Sequence, residues 1–216
     1  TNHSVTVMPG FDGADGERDL FGGLPVDTYL LGYWLGDGTT GAGALTVGNE
    51  DLPAICESLV GQGRDFRVRQ NVGGRPPTVI VAGLRSELGA AGVLSSKHIP
   101  MAYLRGSRET RTALLQGLLD SDGSITKSSG QIEWTQRTGQ LADDMLDLVA
   151  GLGFKPTVTS RDVLTETKGR RSYARIGWFV DADSPQCFRL ARKQSRVPPA
   201  RRYRWGALRY ITSIVP

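Results

Sequence analysis

The chain has 216 residues, with 26 Lys plus Arg against 22 Asp plus Glu for a formal net charge of +4, enough for one substantial core or two small fused ones. Two cysteines, Cys56 and Cys187, and two isolated histidines, His3 and His98, provide almost no material for a disulfide framework, a zinc cage or a serine-type triad. No apolar run approaches the roughly 20 residues that span a bilayer and the N-terminus lacks a signal-peptide profile, so no membrane partner and a cytoplasmic location are expected.

Residues 1–24 are rich in Gly and Asp and read as a lead-in segment, with Val5 to Met8 a possible short strand. Pro25 and Asp27 open a first helix over Asp27 to Gly36. Thr46-Val47 reads as a short strand and Asp51 to Val60 as a helix ending at Gly61-Gln62-Gly63. Phe66 to Gln70 and Thr78 to Ala82 form a hairpin with arginines on one face, followed by a short helix over Leu84 to Ala91. After Ser107, a cap for the next helix, a similar order recurs. Ile125 and Gln131 to Gln136 are strands around a polar turn, Gln140 to Gly151 is a helix, and Val158 to Asp162 with Ser172 to Val180 is the last hairpin around Lys168-Gly169-Arg170-Arg171. From Lys155 onward 14 basic residues face 4 acidic ones, net +10, leaving 12 against 18, net −6, in residues 1–154. Such a split favours a polyanionic partner.

Two segments within this order match each other. Leu115-Gln116-Gly117-Leu118-Leu119-Asp120-Ser121-Asp122-Gly123 repeats Leu30-Leu31-Gly32-Tyr33-Trp34-Leu35-Gly36-Asp37-Gly38 at an offset of 85 residues. Each is an apolar helix with a glycine at its third position, ending at an acidic residue and a glycine. An 85-residue period is too long for a solenoid and suits a tandem duplication with pseudo-twofold symmetry. Gly32 and Gly117 then let two helix backbones approach, with Gly36 and Ser121 narrowing the seam near the acidic ends.

These motifs resemble those of the LAGLIDADG, or dodecapeptide-type, homing endonucleases, and specifically the endonuclease domains inside inteins. The second copy departs from the motif mainly at Gln116 and Ser121; the first has Leu35 where the family has its first Asp but keeps the second as Asp37. Lys97-His98-Ile99-Pro100 resembles the family's lysine block, and Arg192-Lys193 stands in a comparable place in the second half. Arg209 to Ile214 resembles the return from an intein endonuclease into its splicing domain. No nucleophilic Cys or Ser begins the sequence and no His-Asn pair ends it, so the chain is not expected to splice itself, although a parent intein splicing domain is a candidate partner.

The resemblance implies an α+β fold of two pseudo-twofold-related repeats, αββαββα each, over residues 25–105 and 106–216, with the motif helices at the interface and a saddle of two antiparallel sheets. It implies a monomer with an internal pseudo-dimer that hydrolyses both strands of a long double-stranded DNA target. Asp37 and Asp122, with Gly36 and Ser121, would hold Mg²⁺, with Mn²⁺ expected to substitute, and Lys97 and Lys193 would stabilise charge on the phosphate or polarise water. Arg67, Arg69, Gln70, Gln131, Glu133, Gln136, Arg137, Arg161, Lys168, Arg170, Arg171 and Arg175 are the expected DNA contacts, with several turn arginines on phosphates. The C-terminal Arg201, Arg202 and Arg204 extend the footprint or form a solvated tail. One alternative is a catalytically inactive DNA-binding protein, regulator or maturase-like, on the same scaffold. A calcium-binding loop starting at Asp120 fails because no Glu follows at the required spacing.

Overall fold

The computed structural model describes residues 4–6, 23–165, 169–182, 184–199 and 208–210. His3, the second half of the Val5–Met8 strand, Lys168, Arg201, Arg202, Arg204 and residues 211–214 lie outside the described residues. A short strand β1 (Ser4–Thr6) pairs antiparallel with β10 (Leu208–Tyr210), Ser4 opposite Tyr210.

The first repeat runs α1 (Thr28–Asp37), β2 (Gly38–Thr39), β3 (Ala44–Thr46), α2 (Leu52–Gly61), β4 (Phe66–Arg69), β5 (Thr78–Val81) and α3 (Leu84–Ala90). A one-turn helix α4 (Met101–Leu104) leads into the second: α5 (Arg108–Asp122), β6 (Gly123–Ile125), β7 (Ile132–Arg137), α6 (Gln140–Gly151), β8 (Thr157–Thr165), β9 (Gly169–Trp178) and α7 (Ala191–Gln194). Each repeat is thus αββαββα. The sheets are ordered β2-β3-β5-β4 and β6-β7-β9-β8, with every pairing antiparallel. The last hairpin is longer than the alternation suggested, so the second repeat carries the longer arm.

Asp27 caps α1 by accepting the Leu30 N–H at 2.9 Å, and Ser107 caps α5 by accepting that of Thr110 at 3.3 Å. Seven consecutive residues of α1, Tyr29 to Leu35, are buried, as are Leu114 to Asp120 of α5. Helices buried on every side belong in the middle of a protein, and these two pack against each other along their length. One continuous core includes Trp34, Trp134, Trp178, Leu31, Leu118 and Phe188 from both repeats. Alternation along β7 places Ile132 and Trp134 in that core, leaving an open sheet face opposite. Among the described residues no helix is long and apolar enough to cross a membrane.

Candidate active site

The helix seam is set by four positions. A Cβ added at Gly32 would lie 2.3 Å from the Leu114 carbonyl oxygen and one at Gly117 2.2 Å from that of Tyr29, so neither position admits a side chain without pushing the backbones apart. One turn onward, a Cβ at Gly36 would meet Ser121 Oγ at 1.9 Å and would stand 3.4 Å from Asp122 Oδ2. The carboxylate of one motif helix therefore lies beside the residue preceding Asp37 of the other. Gly38 and Gly123 end the helices for the same steric reason. Both have extended backbone at negative φ, and a Cβ would strike the Trp34 ring at 2.2 Å or the Leu119 carbonyl at 2.6 Å.

Burial pushes both carboxyls above their ordinary range; for Asp122 the charge of Asp37 adds to the rise, and Lys97 and Lys193 pull both back down. Lys97 Nζ donates to the carbonyls of Trp34 at 2.9 Å, Gly36 at 3.3 Å and Gly38 at 2.9 Å. Lys193 Nζ donates to those of Leu119 at 2.9 Å, Asp120 at 2.8 Å and Gly123 at 3.0 Å, with Ser121 at 3.5 Å. The two lysines cap equivalent helix ends: the Trp34 and Leu119 carbonyls already accept the N–H of Gly38 and Gly123, and each ammonium adds a charged donor there and to the carbonyls beyond. Burial lowers the pKa of each, and the neighbouring carboxylates oppose that shift.

Asp120 stands apart from this pair. Its carboxylate accepts Tyr29 Oη at 2.9 Å and the backbone N–H groups of Arg189 and Leu190 at 3.0 and 3.2 Å, tying α5 to α1 and to the start of α7. Burial raises its pKa against those bonds. The equivalent Leu35 is fully buried beside apolar neighbours in the same core, which is why the motif's first acidic position has no counterpart there.

The other expected site residues fall into two groups by strand register. Arg67 and Arg69 lie exposed on β4, opposite Ile80 and Thr78, and alternate with Phe66 and Val68. Gln70 follows the strand end. On the second sheet, Glu133, Thr135 and Arg137 share the face opposite Ile132 and Trp134, joined by Arg161, Arg171, Tyr173 and Arg175. Gln131 precedes β7 with its amide against Gly177.

Two of the expected residues lie on the other face. Gln136 alternates to the Trp134 side, where its Oε1 accepts the Arg137 N–H at 3.0 Å, and Thr135 stands between Glu133 and Arg137 on the open face. Arg170 lies on the opposite face from Arg171 and is bound to Asp162, which also accepts Ser172 Oγ. Glu133 is ion-paired with Arg175 and accepts Thr126 Oγ1 at 2.6 Å, so the two charges on that face are mutually neutralised.

The geometry agrees with the family comparison. Residues 109–193 match the profile of the LAGLIDADG-like domain. The chain carries a LAGLIDADG-like domain. The matched segment spans α5 to Lys193 and so contains Asp122 and one lysine cap, while residues 28–97 repeat the element order and sheet order of this LAGLIDADG-like unit with Asp37 and Lys97. The replicative DNA helicase DnaB of Mycobacterium intracellulare is 31% identical over 193 residues, 89% of this chain but 29% of the helicase. The chain therefore spans less than a third of that relative. Similar solved structures include the homing endonuclease I-DmoI with DNA and calcium, 15% identical with TM-score 0.47 over 71% of this chain and 82% of that one. Mesophilic variants of I-DmoI give 14% identity and TM-score 0.48 over 80% and 86%.

Proposed function

We propose that the protein is a site-specific, divalent-metal-dependent endonuclease that hydrolyses both strands of a long double-stranded DNA target as a monomer. The observation that carries this reading is the convergence of Asp37 and Asp122 at two abutting helix ends, each end capped by a lysine. Partial burial of both carboxyls, and for Asp122 the charge of Asp37 as well, leaves them reluctant to ionise, a tension that a cation relieves. Among the described residues no cluster of three or more His, Cys, Asp or Glu forms a cage. The donors at hand are two carboxylates and the Gly36 and Ser121 carbonyls, whose lysine bonds are the longest of each set.

An all-oxygen, incomplete donor set fits Mg²⁺, which keeps waters and accepts phosphate oxygens. When bound, such an ion activates water and stabilises a leaving oxygen. The chain's own groups do the rest. Asp37 and Asp122 bind from both sides of the pseudo-twofold axis, one facing each strand. The N–H groups of Lys97 and Lys193 are committed to helix-end carbonyls, so the lysines act as fixed positive charge beside the reacting phosphate rather than as proton carriers. Arg67, Arg69, Arg137, Arg161, Arg171 and Tyr173 on the open faces meet the duplex, giving steep salt dependence.

The helicase relative supports association with an intein, because a chain bearing two LAGLIDADG-like motifs aligns over nine-tenths of its length with less than a third of a protein named as a replicative DNA helicase. I-DmoI has been solved with DNA in the presence of Ca, Mn and Mg, which is in keeping with the same ions here. Selection of cleaved molecules from a randomised duplex pool with Mg²⁺ tests the proposal. One recovered long site, uncut by Asp122→Asn, is the expected result; tight binding of an intact duplex across Mg²⁺ and Mn²⁺ would favour a non-cleaving DNA-binding protein.

A further inference from the structure

The two lysine caps are carried on short, weakly self-supporting segments. Lys193 sits on the four-residue α7, and Lys97 lies in the irregular stretch between α3 and α4. Segments of this length hold no fixed conformation by their own hydrogen bonds. Both are nevertheless braced from the other repeat, α7 in addition to the hold that Asp120 of its own repeat has on the Arg189 and Leu190 amides.

Arg192, next to Lys193, directs Nε and Nη2 to the two carboxylate oxygens of Asp51, at the start of α2 in the first repeat. Asp51 is 5% exposed, and Glu50 stands 3.6 Å from the same guanidinium. This two-pronged geometry fixes direction as well as distance. In the opposite sense, the Ile99 N–H, two residues after Lys97, donates at 2.7 Å to Asp144 Oδ2 on α6 of the second repeat. Asp144 is also 5% exposed, and its other oxygen accepts Gln140 Nε2 at 2.7 Å.

The braces are not copies of one another. Asp51 precedes its helix, whereas Asp144 lies in the second turn of its own, and one grips a side chain while the other grips backbone. Unrelated residues thus solve one problem at two related places, as a shared requirement on lysine placement demands. Packing alone does not: a buried carboxylate is costly unless it is paired, and an apolar residue would fill either position at less cost.

We propose that Asp51 and Asp144 are positioning residues that hold Lys193 and Lys97, respectively, at the motif-helix ends, so that each catalytic half is completed by the opposite repeat. This rests on the nuclease reading only for its functional consequence. The placement itself is testable without cleavage, because the chain has five lysines and their side-chain methylene carbon signals are separable by NMR, with Lys97→Met and Lys193→Met giving the assignments. Asp51→Asn should move the Lys193 signal and leave Lys97 in place; Asp144→Ala should do the reverse. Should either fail to fold, Arg192→Lys, which keeps the charge and loses the fork, and Asp144→Asn take their places.

On a cognate duplex labelled on either strand, single-turnover cleavage should slow by roughly tenfold or more on one strand with Asp51→Asn and on the other with Asp144→Ala, with DNA affinity unchanged. Lysine signals that stay put, or that move together in both variants, would overturn the proposal, as would equal slowing of both strands. A protein that cuts no DNA while showing the selective lysine shifts would retain the positioning and lose the nuclease reading.

Discussion

Lys97 and Lys193 hold equivalent stations on the two motif helices: Lys97 bonds the carbonyls of Trp34 and Gly38, and Lys193 those of Leu119 and Gly123, 85 residues further along. The duplication has preserved an acidic helix end together with the cation that makes it tolerable. A carboxylate at a helix C-terminus meets the negative end of the helix dipole, and the ammonium offsets both. Removing the charge should therefore expose the cost. Lys193 is 9% exposed and Lys97 is only half-buried, so Lys193→Met should destabilise by about 2–3 kcal/mol, the penalty for orphaned buried carbonyls, and Lys97→Met by less. Urea unfolding of the two variants checks the order, and equal losses would deny the capping role.

The seam predicts a compensating pair. Gly117→Ala must push the helix backbones apart and should cost about 3 kcal/mol, lowering the melting temperature by roughly 6–12 °C for a domain of this size. At Gly36 the first obstacle is a side chain, Ser121 Oγ at 1.9 Å. Gly36→Ala should thus be destabilising alone and largely recovered by adding Ser121→Gly. A double-mutant cycle should return a coupling of about 1 kcal/mol or more; additive losses would mean that Ser121 does not set the spacing there.

Asp122 carries a stability cost with a defined pH window. Burial, and then the charge of Asp37, raise its folded-state pKa above the unfolded value, so the native state binds the proton more tightly than the unfolded chain. Folding is then most favoured below the unfolded carboxyl pKa and loses stability as pH rises through the folded one. Asp122→Asn should accordingly raise the melting temperature at pH 7, with the gain vanishing as pH falls below about 4, the ordinary Asp range. Calorimetry across that range checks the sign. A gain that persists in acid would point to packing rather than charge.

Much of this was legible in the sequence because the informative residues face few competing demands. Asp27 and Ser107 cap because nothing else there does, and the Gln140–Gly151 helix lies where its periodicity places it. The paired aspartates followed from the repeated motif, and the glycine seam from backbone approach. What was hidden depends on tertiary partners. The β2 strand has two residues, too few for any alternation to register, and α4 and α7 are single turns. The helix-end role of both lysines needed the helices and the lysine segments in one frame.

Register was the other blind spot, and it yields a test. The near-even spacing of Gln131, Glu133 and Gln136 suggests one face, but an exact period of two sends Gln136 to the opposite side and brings Thr135 beside Glu133. If the open face meets DNA, Thr135→Ala and Arg137→Ala should relax or weaken target binding, whereas Gln136→Ala should leave the selected site unchanged. Binding selections with the three variants decide the register, and a changed site for Gln136→Ala would place DNA on the other face.

Metal binding should invert the effect of Asp122→Asn. The acidic pair destabilises the native state because two partly desolvated carboxylates, still open to solvent on one side, stand together beside only two lysines, so any cation that binds them returns what the repulsion removed. At a Mg²⁺ concentration about tenfold above its dissociation constant, linkage gives the wild type about 1.4 kcal/mol, or roughly 3–6 °C. Asp122→Asn should begin above the wild type in chelator and gain little on adding Mg²⁺, so the two melting temperatures converge or cross. Asp37→Asn should behave alike if the ion is shared, whereas Asp120→Asn, whose carboxylate is bound to Tyr29 and to the Arg189 and Leu190 amides, should be destabilised in chelator and still respond to Mg²⁺. Scanning calorimetry of the four proteins without DNA separates these outcomes. An equal Mg²⁺ response from wild type and Asp122→Asn would remove that carboxylate from the metal site.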